Sequence, residues 1–184
     1  RSELAAKAAK SHTGSLAGSE QAYRAAFRQA GVIRAESLEE LLDFALAFGY
    51  LPPLKGDRVA IVTNAGGPGI LATDAVERDG LQLARFEPER LRKLEQFLPD
   101  AASAANPIDL LGDARADRFA FVLQEILGDP QVDAVLVLVT PQAMTDMEAT
   151  AEVIVRAAAQ SSVPLLACVM GQASLGSGPE ILQR

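Results

Sequence analysis

The chain has 184 residues, of which 49% are hydrophobic and 22% charged, with a formal net charge of −7. This composition is typical of a globular protein with a buried core. The basic residues are spread along the sequence, which argues against a nucleic-acid-binding surface. The single cysteine, Cys168, excludes an internal disulfide. Because it lies in an apolar run, we expect a small core residue rather than a nucleophile.

The longest apolar runs, 132–139 and 163–170, are too short to span a bilayer. No signal peptide precedes them, so we expect a cytoplasmic protein. No Cys or His spacing predicts a zinc site, and no metal site is assigned. The chain opens inside a helical pattern and closes at the start of another near Gly178, so we expect a fragment of a longer protein.

The first segment, Ser2–Lys10, is rich in alanine and predicts a helix. Ser11–Gly18 is small and polar, which predicts a loop, and it contains the only histidine, His12. Ser19 is a plausible N-cap for a helix over Glu20–Ala30. The apolar face of that helix consists of Tyr23, Ala26, Phe27 and Ala30. Gly31 follows as the predicted C-cap.

The next segment predicts a second helix. Val32–Arg34 is a candidate short strand. Ser37 and Glu40 form a capping-box pattern that opens a helix over Leu38–Phe48, and Gly49 ends it. Tyr50–Asp57 contains two prolines and predicts a linker.

From Arg58 onward, strand and helix patterns alternate, which predicts βαβ units and a parallel sheet. We expect a flavodoxin-like strand order of 2-1-3-4-5, with ligands beyond the carboxyl ends of the strands. The predicted strands are Arg58–Thr63, Leu81–Arg85, Pro107–Leu110, Val132–Val139 and Val163–Met170. The predicted helices are Gly69–Arg78, Pro88–Leu98, Arg118–Leu127 and Asp146–Gln160.

The segment Arg58–Asp74 combines a strand, a glycine-rich turn and a helix. Such an arrangement directs free backbone N–H groups at an anion, because the first N–H groups of a helix lack intrahelical partners. The helix dipole adds roughly half a positive charge there. The turn itself predicts either a phosphate site or simply a tight connection in an open sheet.

Two other predicted strand ends carry polar residues. Asp109 and Asp113 are candidate metal ligands, although an Asp in this position often only caps a turn. Thr140 and Gln142 are candidates for either function or loop packing. Asp117 is a candidate cap for the helix over Arg118–Leu127, and Asp146 is interpreted as a helix-terminus residue.

Four motifs, in order, resemble those of NDP-forming acyl-CoA synthetases of the ADP-forming acetyl-CoA synthetase type, relatives of succinyl-CoA synthetase. They are SHTGSLAGSEQAYRAAFRQAGVI, RVAIVTNAGGPGILATDA, NPIDLLGDA and DPQVDAVLVLVTPQAMTD. The resemblance covers essentially the whole chain. It implies that residues 1–49 are the C-terminal part of a second CoA-ligase α/β domain. After a linker at 50–57, residues 58–184 would be a flavodoxin-like ligase domain, truncated at its C-terminus.

The resemblance implies a phosphohistidine at His12, formed from an acyl phosphate and consumed by a nucleotide on an ATP-grasp domain. It also implies that the turn formed by Asn64, Ala65, Gly66, Gly67 and Gly69 holds the phosphate. A neutral imidazole suits this chemistry, because its ordinary pKa is about 6.5. The implied ligands are CoA, ATP or ADP, and Mg²⁺, bound mainly by domains outside this fragment, in a protein that is oligomeric at full length.

The resemblance leaves two functions open. The first is an acid–CoA ligase, of which this chain is a piece that is inactive alone. The second is the ligand-sensing region of a protein lysine acetyltransferase, which contains similar domains. A phosphorylation receiver domain is disfavoured, because Thr63, Asn64 and Ala65 supply no acidic pair after the first strand.

Overall fold

A computed structural model of the chain describes residues 20–171 and 176–183. The chain divides into two compact units, residues 1–50 and 51–184. The predicted helix Ser2–Lys10, the loop Ser11–Gly18 with His12, and the cap at Ser19 lie outside the described residues.

The described part of the first unit consists of helix α1, Glu20–Ala30, and helix α2, Leu38–Tyr50. Gly31 ends α1 with a φ of +66°, as its C-cap assignment predicts. The Ser37 hydroxyl accepts a hydrogen bond from the Glu40 N–H at 3.0 Å, which confirms the predicted cap of α2. The predicted strand at 32–34 is wrong, since these residues have no regular secondary structure.

The second unit is an α/β domain around a parallel sheet, which confirms the predicted fold class. Its strands are β1 Arg58–Thr63, β2 Gln82–Leu83, β3 Ile108–Asp109, β4 Ala134–Val139 and β5 Leu165–Val169. Its helices are α3 Gly66–Arg78, α4 Pro88–Phe97, α5 Ala116–Leu127, α6 Met147–Ala159 and α7 Gly178–Leu182. Among the described helices, none has the length and apolar character needed to cross a membrane.

The predicted strand order 2-1-3-4-5 is wrong, because β1 pairs directly with β4. Strands β2 and β3 have only two residues each, so both fit along the other edge of β1. Between them the side chain of Asn106 completes the pairing: its carbonyl oxygen accepts from the Ile61 N–H at 2.9 Å, and its amide donates to the Val59 carbonyl at 2.7 Å.

Side chains that alternate along the strands form two hydrophobic clusters on opposite faces of the sheet. The larger cluster contains Ala60, Val62, Val135 and Val137 of the strands, with Leu94, Phe119 and Ile154 of helices α4 to α6. The smaller one contains Val59, Ile61, Ala134 and Leu138, covered by Val76 of α3. Strands β1 and β4 are therefore central, which explains their continuous apolar sequences.

Cys168 is exposed, so its prediction as a core residue is wrong. It lies on β5, which pairs only with β4 within the described sheet and is therefore an edge strand. The apolar run around Cys168 resembles that of β4 in sequence, and only the sheet order distinguishes a central strand from an edge strand.

Candidate functional site at the carboxyl end of β1

The glycine turn connects β1 directly to α3. The helix begins at Gly66 rather than at the predicted Gly69, so all three glycines of the turn lie in its first turn. Ala65 is the N-cap residue, with extended backbone angles of −150° and 120° and no side-chain oxygen to cap the helix. The carboxyl end of β1 therefore leads into a helix N-terminus with no side-chain cap.

Two backbone N–H groups at the start of α3 are available to a ligand. The N–H of Ala65 donates to the Thr63 hydroxyl at 3.1 Å, and that of Gly69 donates to the Ala65 carbonyl at 3.4 Å. Pro68 has no N–H. The N–H groups of Gly66 and Gly67 have no acceptor within the described portion of the chain. With the positive end of the helix dipole, they form an arrangement suited to an anion.

The three glycines of this turn have different surroundings. A Cβ at Gly69 would lie 3.2 Å from Cγ2 of Thr63, so this glycine lets the helix pack closely on the strand. A Cβ at Gly66 would lie 3.3 Å from Oδ2 of Asp109. A Cβ at Gly67 would meet no atom of the described residues within 4 Å. Protein packing therefore does not require glycine at Gly67, whereas a ligand approaching the backbone closely would.

Asn64 is the first residue of the turn, directly after β1, and is only 1% exposed. Its amide nitrogen donates to the Thr140 carbonyl at 2.8 Å and to the Thr145 hydroxyl at 3.2 Å. Its amide oxygen accepts from the Thr140 N–H at 2.8 Å and from the Thr140 hydroxyl at 3.1 Å. The side chain of Asn64 is thus fully engaged with the loop that follows β4.

Asp109 and Asp113 have different environments. One oxygen of Asp109 accepts from the Leu111 N–H at 2.9 Å, and this bond accompanies the unusual positive φ of 69° at Leu111. Asp113 pairs with Arg118 at 2.7 Å, and this hydrogen bond lowers the pKa of its carboxyl below the ordinary value. Within the described ranges, no group of three His, Cys, Asp or Glu residues is placed to hold a metal ion.

The loops after β1, β3 and β4 meet at one edge of the sheet, because the carboxyl ends of parallel strands share an edge. Gly66 lies against Asp109, and a Cβ at Gly112 would lie 3.6 Å from Cδ of Gln142. Gln142 donates in turn to the Thr140 hydroxyl at 3.1 Å. The structure therefore brings together the three predicted strand ends.

Some features of the site were missed by the sequence analysis. Thr145 contacts Asn64, and Arg118 donates to the Leu110 carbonyl at 2.5 Å. The Asp109-Leu110-Leu111 turn has a usable signal, because Asp often bonds the backbone two residues onward. The contact of Thr145 with Asn64 has no such signal in the sequence. The two acidic residues predicted at helix starts have different roles in the structure. Asp146 caps α6, because its side chain accepts a hydrogen bond from the Ala149 N–H. Asp117 lies in the first turn of α5 and does not cap it.

Two family models match the chain. Residues 1–48 match the succinyl-CoA ligase like flavodoxin domain, and residues 59–181 match the Ligase-CoA domain. His12 lies within the range that the first model matches and outside the described structure.

Several characterised proteins are similar to the chain. It is 49% identical over its whole length to acetate–CoA ligase (ADP-forming) I of Archaeoglobus fulgidus and covers 26% of that protein. It is 42% identical to the alpha subunit of acetate–CoA ligase (ADP-forming) II of Pyrococcus furiosus and covers 41% of it. The chain thus spans well under half the length of these relatives.

A solved structure has the same fold. Acetyl-coenzyme A synthetase 1 of Ca. Korarchaeum cryptofilum, determined in complex with phosphate and ADP, matches 99% of the chain with a TM-score of 0.87 and 35% identity. The chain covers 40% of that protein.

Proposed function

Because the chain belongs to the Ligase-CoA domain family, with a succinyl-CoA ligase like flavodoxin segment ahead of that domain, we propose that it is part of an NDP-forming acid–CoA ligase. The proposed reaction converts acyl-CoA, ADP and phosphate into acid, ATP and CoA, reversibly. The observation that carries this proposal is the N-terminus of α3, where Gly66 and Gly67 present N–H groups that have no acceptor among the described residues.

In the proposed mechanism, an oxygen of phosphate first attacks the thioester carbonyl carbon of acyl-CoA, and the carbon–sulfur bond breaks, so that CoA leaves and an acyl phosphate forms. A ring nitrogen of His12 then attacks the phosphorus of this acyl phosphate. A nitrogen–phosphorus bond forms, the bond from phosphorus to the acyl oxygen breaks, and the carboxylate leaves. An oxygen of the ADP β-phosphate then attacks the phosphohistidine, which yields ATP and the neutral imidazole. Phosphoryl transfer depends mainly on positioning and charge stabilisation.

The proposed role of the turn is to hold the phosphoryl group by its backbone. The N–H groups of Gly66 and Gly67 would donate to phosphoryl oxygens, and the absence of a side chain at Gly67 leaves room for them. Asp109 places a carboxylate beside Gly66. Because this negative charge repels a phosphoryl group, the phosphoryl group would approach more favourably over Gly67. Ala65 and Gly69 shape the turn, Ala65 as its N-cap and Gly69 through its close contact with β1.

The proposed ligands are CoA, ADP or ATP, and Mg²⁺. The described residues offer no cluster of three metal-ligating side chains. We therefore assign no magnesium ligand in the described residues and expect the ion to bind with the nucleotide, on an ATP-grasp domain or subunit. One relative is named as an alpha subunit, which supports a second polypeptide as partner. We propose a cytoplasmic protein, oligomeric at full length.

The proposed domain arrangement has its boundary at the proline-bearing linker. Residues 1–49 would carry the phosphohistidine loop, 50–57 the connection, and 58–184 the flavodoxin-like ligase domain. The second candidate, a ligand-sensing region of a lysine acetyltransferase, has no observation in its favour, since the similar proteins described above are named as ligases or synthetases.

The proposal is tested on the full-length protein with His12→Ala as control. The protein is incubated with ATP and magnesium, and separately with acyl-CoA and phosphate. We expect a base-stable, acid-labile phosphoryl group on the peptide that contains His12, absent in the control. A protein that binds acyl-CoA but acquires no label under either condition would contradict the ligase mechanism.

A further inference from the structure

The side chain of Asn64 has no hydrogen-bonding capacity left for a ligand. A carboxamide offers two N–H donors and two acceptor lone pairs. Both donors and both lone pairs are used by the loop after β4, through the backbone and hydroxyl of Thr140 and the hydroxyl of Thr145. The buried amide therefore acts within the protein, not on a phosphate.

These bonds continue the pairing of β1 with β4 beyond the end of the strands. The last backbone pair in the register is Thr63 with Leu138. One residue later, the Asn64 side chain takes the place of a neighbouring strand, because it bonds both the N–H and the C=O of Thr140. It thereby joins the glycine turn to a loop 76 residues away in sequence.

The position of Asn64 gives this contact a functional consequence. Asn64 is followed directly by Ala65, the N-cap of α3, and then by the two glycines with open N–H groups. The hydroxyl of Thr63, the last residue of β1, also holds Ala65, because it donates to the Ala65 carbonyl at 2.9 Å. Asn64 supplies the only side-chain link described between this turn and the loop at Thr140, so it fixes the direction of the helix start relative to the neighbouring strand.

We propose that Asn64 is a positioning residue for the phosphoryl group: it holds the N–H groups of Gly66 and Gly67 in place through the loop after β4, without touching the ligand. This inference rests on the proposed ligase function. In this proposal the Asn64 side chain does not bind the phosphate directly but positions the backbone that does.

The test compares Asn64→Ser with Asn106→Ser in the full-length protein. Both substitutions truncate an amide that bridges β1 to another segment, and neither adds a charge. Asn106 bonds Val59, Ile61 and Ala84, away from the turn. Urea denaturation reports the stability cost, and steady-state kinetics give the KM values for phosphate and for acyl-CoA.

We expect both variants to unfold at lower urea concentration than the wild type. Only Asn64→Ser is expected to raise the KM for phosphate, by about tenfold, which corresponds to 1.4 kcal/mol of binding. Its KM for acyl-CoA is expected to stay within about twofold of the wild type, since a twofold change is well below 1 kcal/mol. Asn64 would have a purely structural role if Asn64→Ser changed the KM for phosphate and the KM for acyl-CoA equally. The same conclusion would follow if Asn64→Ser and Asn106→Ser changed the KM for phosphate equally.

A second variant keeps the test valid if Asn64→Ser does not fold. Thr145→Val removes one acceptor of the Asn64 amide and leaves the turn itself unaltered, and Thr145→Ser restores the hydroxyl. We expect a smaller rise in phosphate KM for Thr145→Val and recovery in Thr145→Ser. An unchanged phosphate KM in Asn64→Ser, or in Thr145→Val where Asn64→Ser does not fold, overturns this inference alone if His12 is still phosphorylated. A wild type without phosphate-dependent turnover or label at His12 overturns it together with the proposed function.

Discussion

Arg58 and Asp133 form a two-pronged ion pair between the start of β1 and the residue before β4. Nε and Nη2 of Arg58 donate to the two carboxylate oxygens at 2.6 and 2.9 Å, and the Arg58 backbone N–H donates to the same carboxylate at 3.1 Å. Asp133 is only 8% exposed. The pair thus fixes the register in which the two central strands enter the sheet, at the end opposite the glycine turn.

We expect Asp133→Asn to lower the melting temperature at neutral pH, by a few degrees. The substituted amide would place an N–H group against the guanidinium, and the pKa of Asp133 is lowered chiefly by its hydrogen bond with Arg58. A lowered pKa in the folded state stabilises the protein above the ordinary carboxyl pKa of about 4, and this contribution is lost as the pH falls through the folded-state value. The difference between wild type and variant should therefore shrink below about pH 4.

Thermal melts of both proteins from pH 7 to pH 2.5 measure this effect. Asp79→Asn is the matched control, because Asp79 pairs with Arg78 in an exposed position, with 62% of its side chain accessible. Such surface pairs contribute little. A constant difference at every pH would mean that the ionised carboxylate of Asp133 is not the stabilising group.

We expect Gly67→Ala to stabilise the fold and, at the same time, to weaken phosphate binding. A Cβ there would meet no atom within 4 Å in the part of the chain that the structure describes, and Gly67 lies within the first turn of α3. Replacing glycine by alanine in a helix raises the free energy of unfolding by up to about 1 kcal/mol. We nevertheless expect a higher KM for phosphate, because the new methyl group occupies the proposed approach to the backbone N–H groups.

Gly49→Ala is the matched control for Gly67→Ala. Gly49 lies in α2 and also has open space at the Cβ position. We expect the same direction of change in the urea midpoint and an unchanged KM for phosphate. If Gly67→Ala also leaves the phosphate KM unchanged, the phosphoryl group does not approach this glycine.

Gly69→Ala is expected to destabilise the domain, in contrast to Gly67→Ala. The added methyl would lie 3.2 Å from Cγ2 of Thr63 and 3.5 Å from Cβ of Pro107. Thr63 is fully buried and cannot move aside without disturbing β1. Overpacking of this kind costs about 1–3 kcal/mol, which urea denaturation would measure. A variant as stable as the wild type would show that α3 can move away from the strand at little cost.

Cys168 is expected to react with a thiol reagent in the folded 184-residue chain. Its side chain is exposed on the edge strand β5. We expect rapid labelling below the unfolding transition, with Cys168→Ser as the unlabelled control and circular dichroism to confirm that the chain is folded. Labelling only after denaturation would restore the original prediction of a buried thiol.

Local sequence signals predicted the elements well. The bounds of β1 and α1 agree with the structure, because an apolar β-branched run and a helical face ended by Gly31 are signals contained in adjacent residues. The candidate phosphate turn was predicted in the same way, from glycines between a strand and a helix. The predicted helix start at Gly69 was three residues late, since the three helical residues before Gly69 are two glycines and a proline, which have low helix propensity.

The sequence by itself determined that the chain alternates strands and helices, which segment forms the glycine turn, and which ends of the strands carry polar residues. Only the tertiary structure decided that β4 lies beside β1, that Cys168 is at an edge, and that the Asn64 amide bonds Thr140. The physical reason is that these contacts join residues far apart in the chain. Strand length and strand pairing, rather than local propensity, select among the possible strand orders of the sheet. Asn64 is the clearest example, since its neighbours predict a turn while its role depends on residues 76 and 81 positions further along.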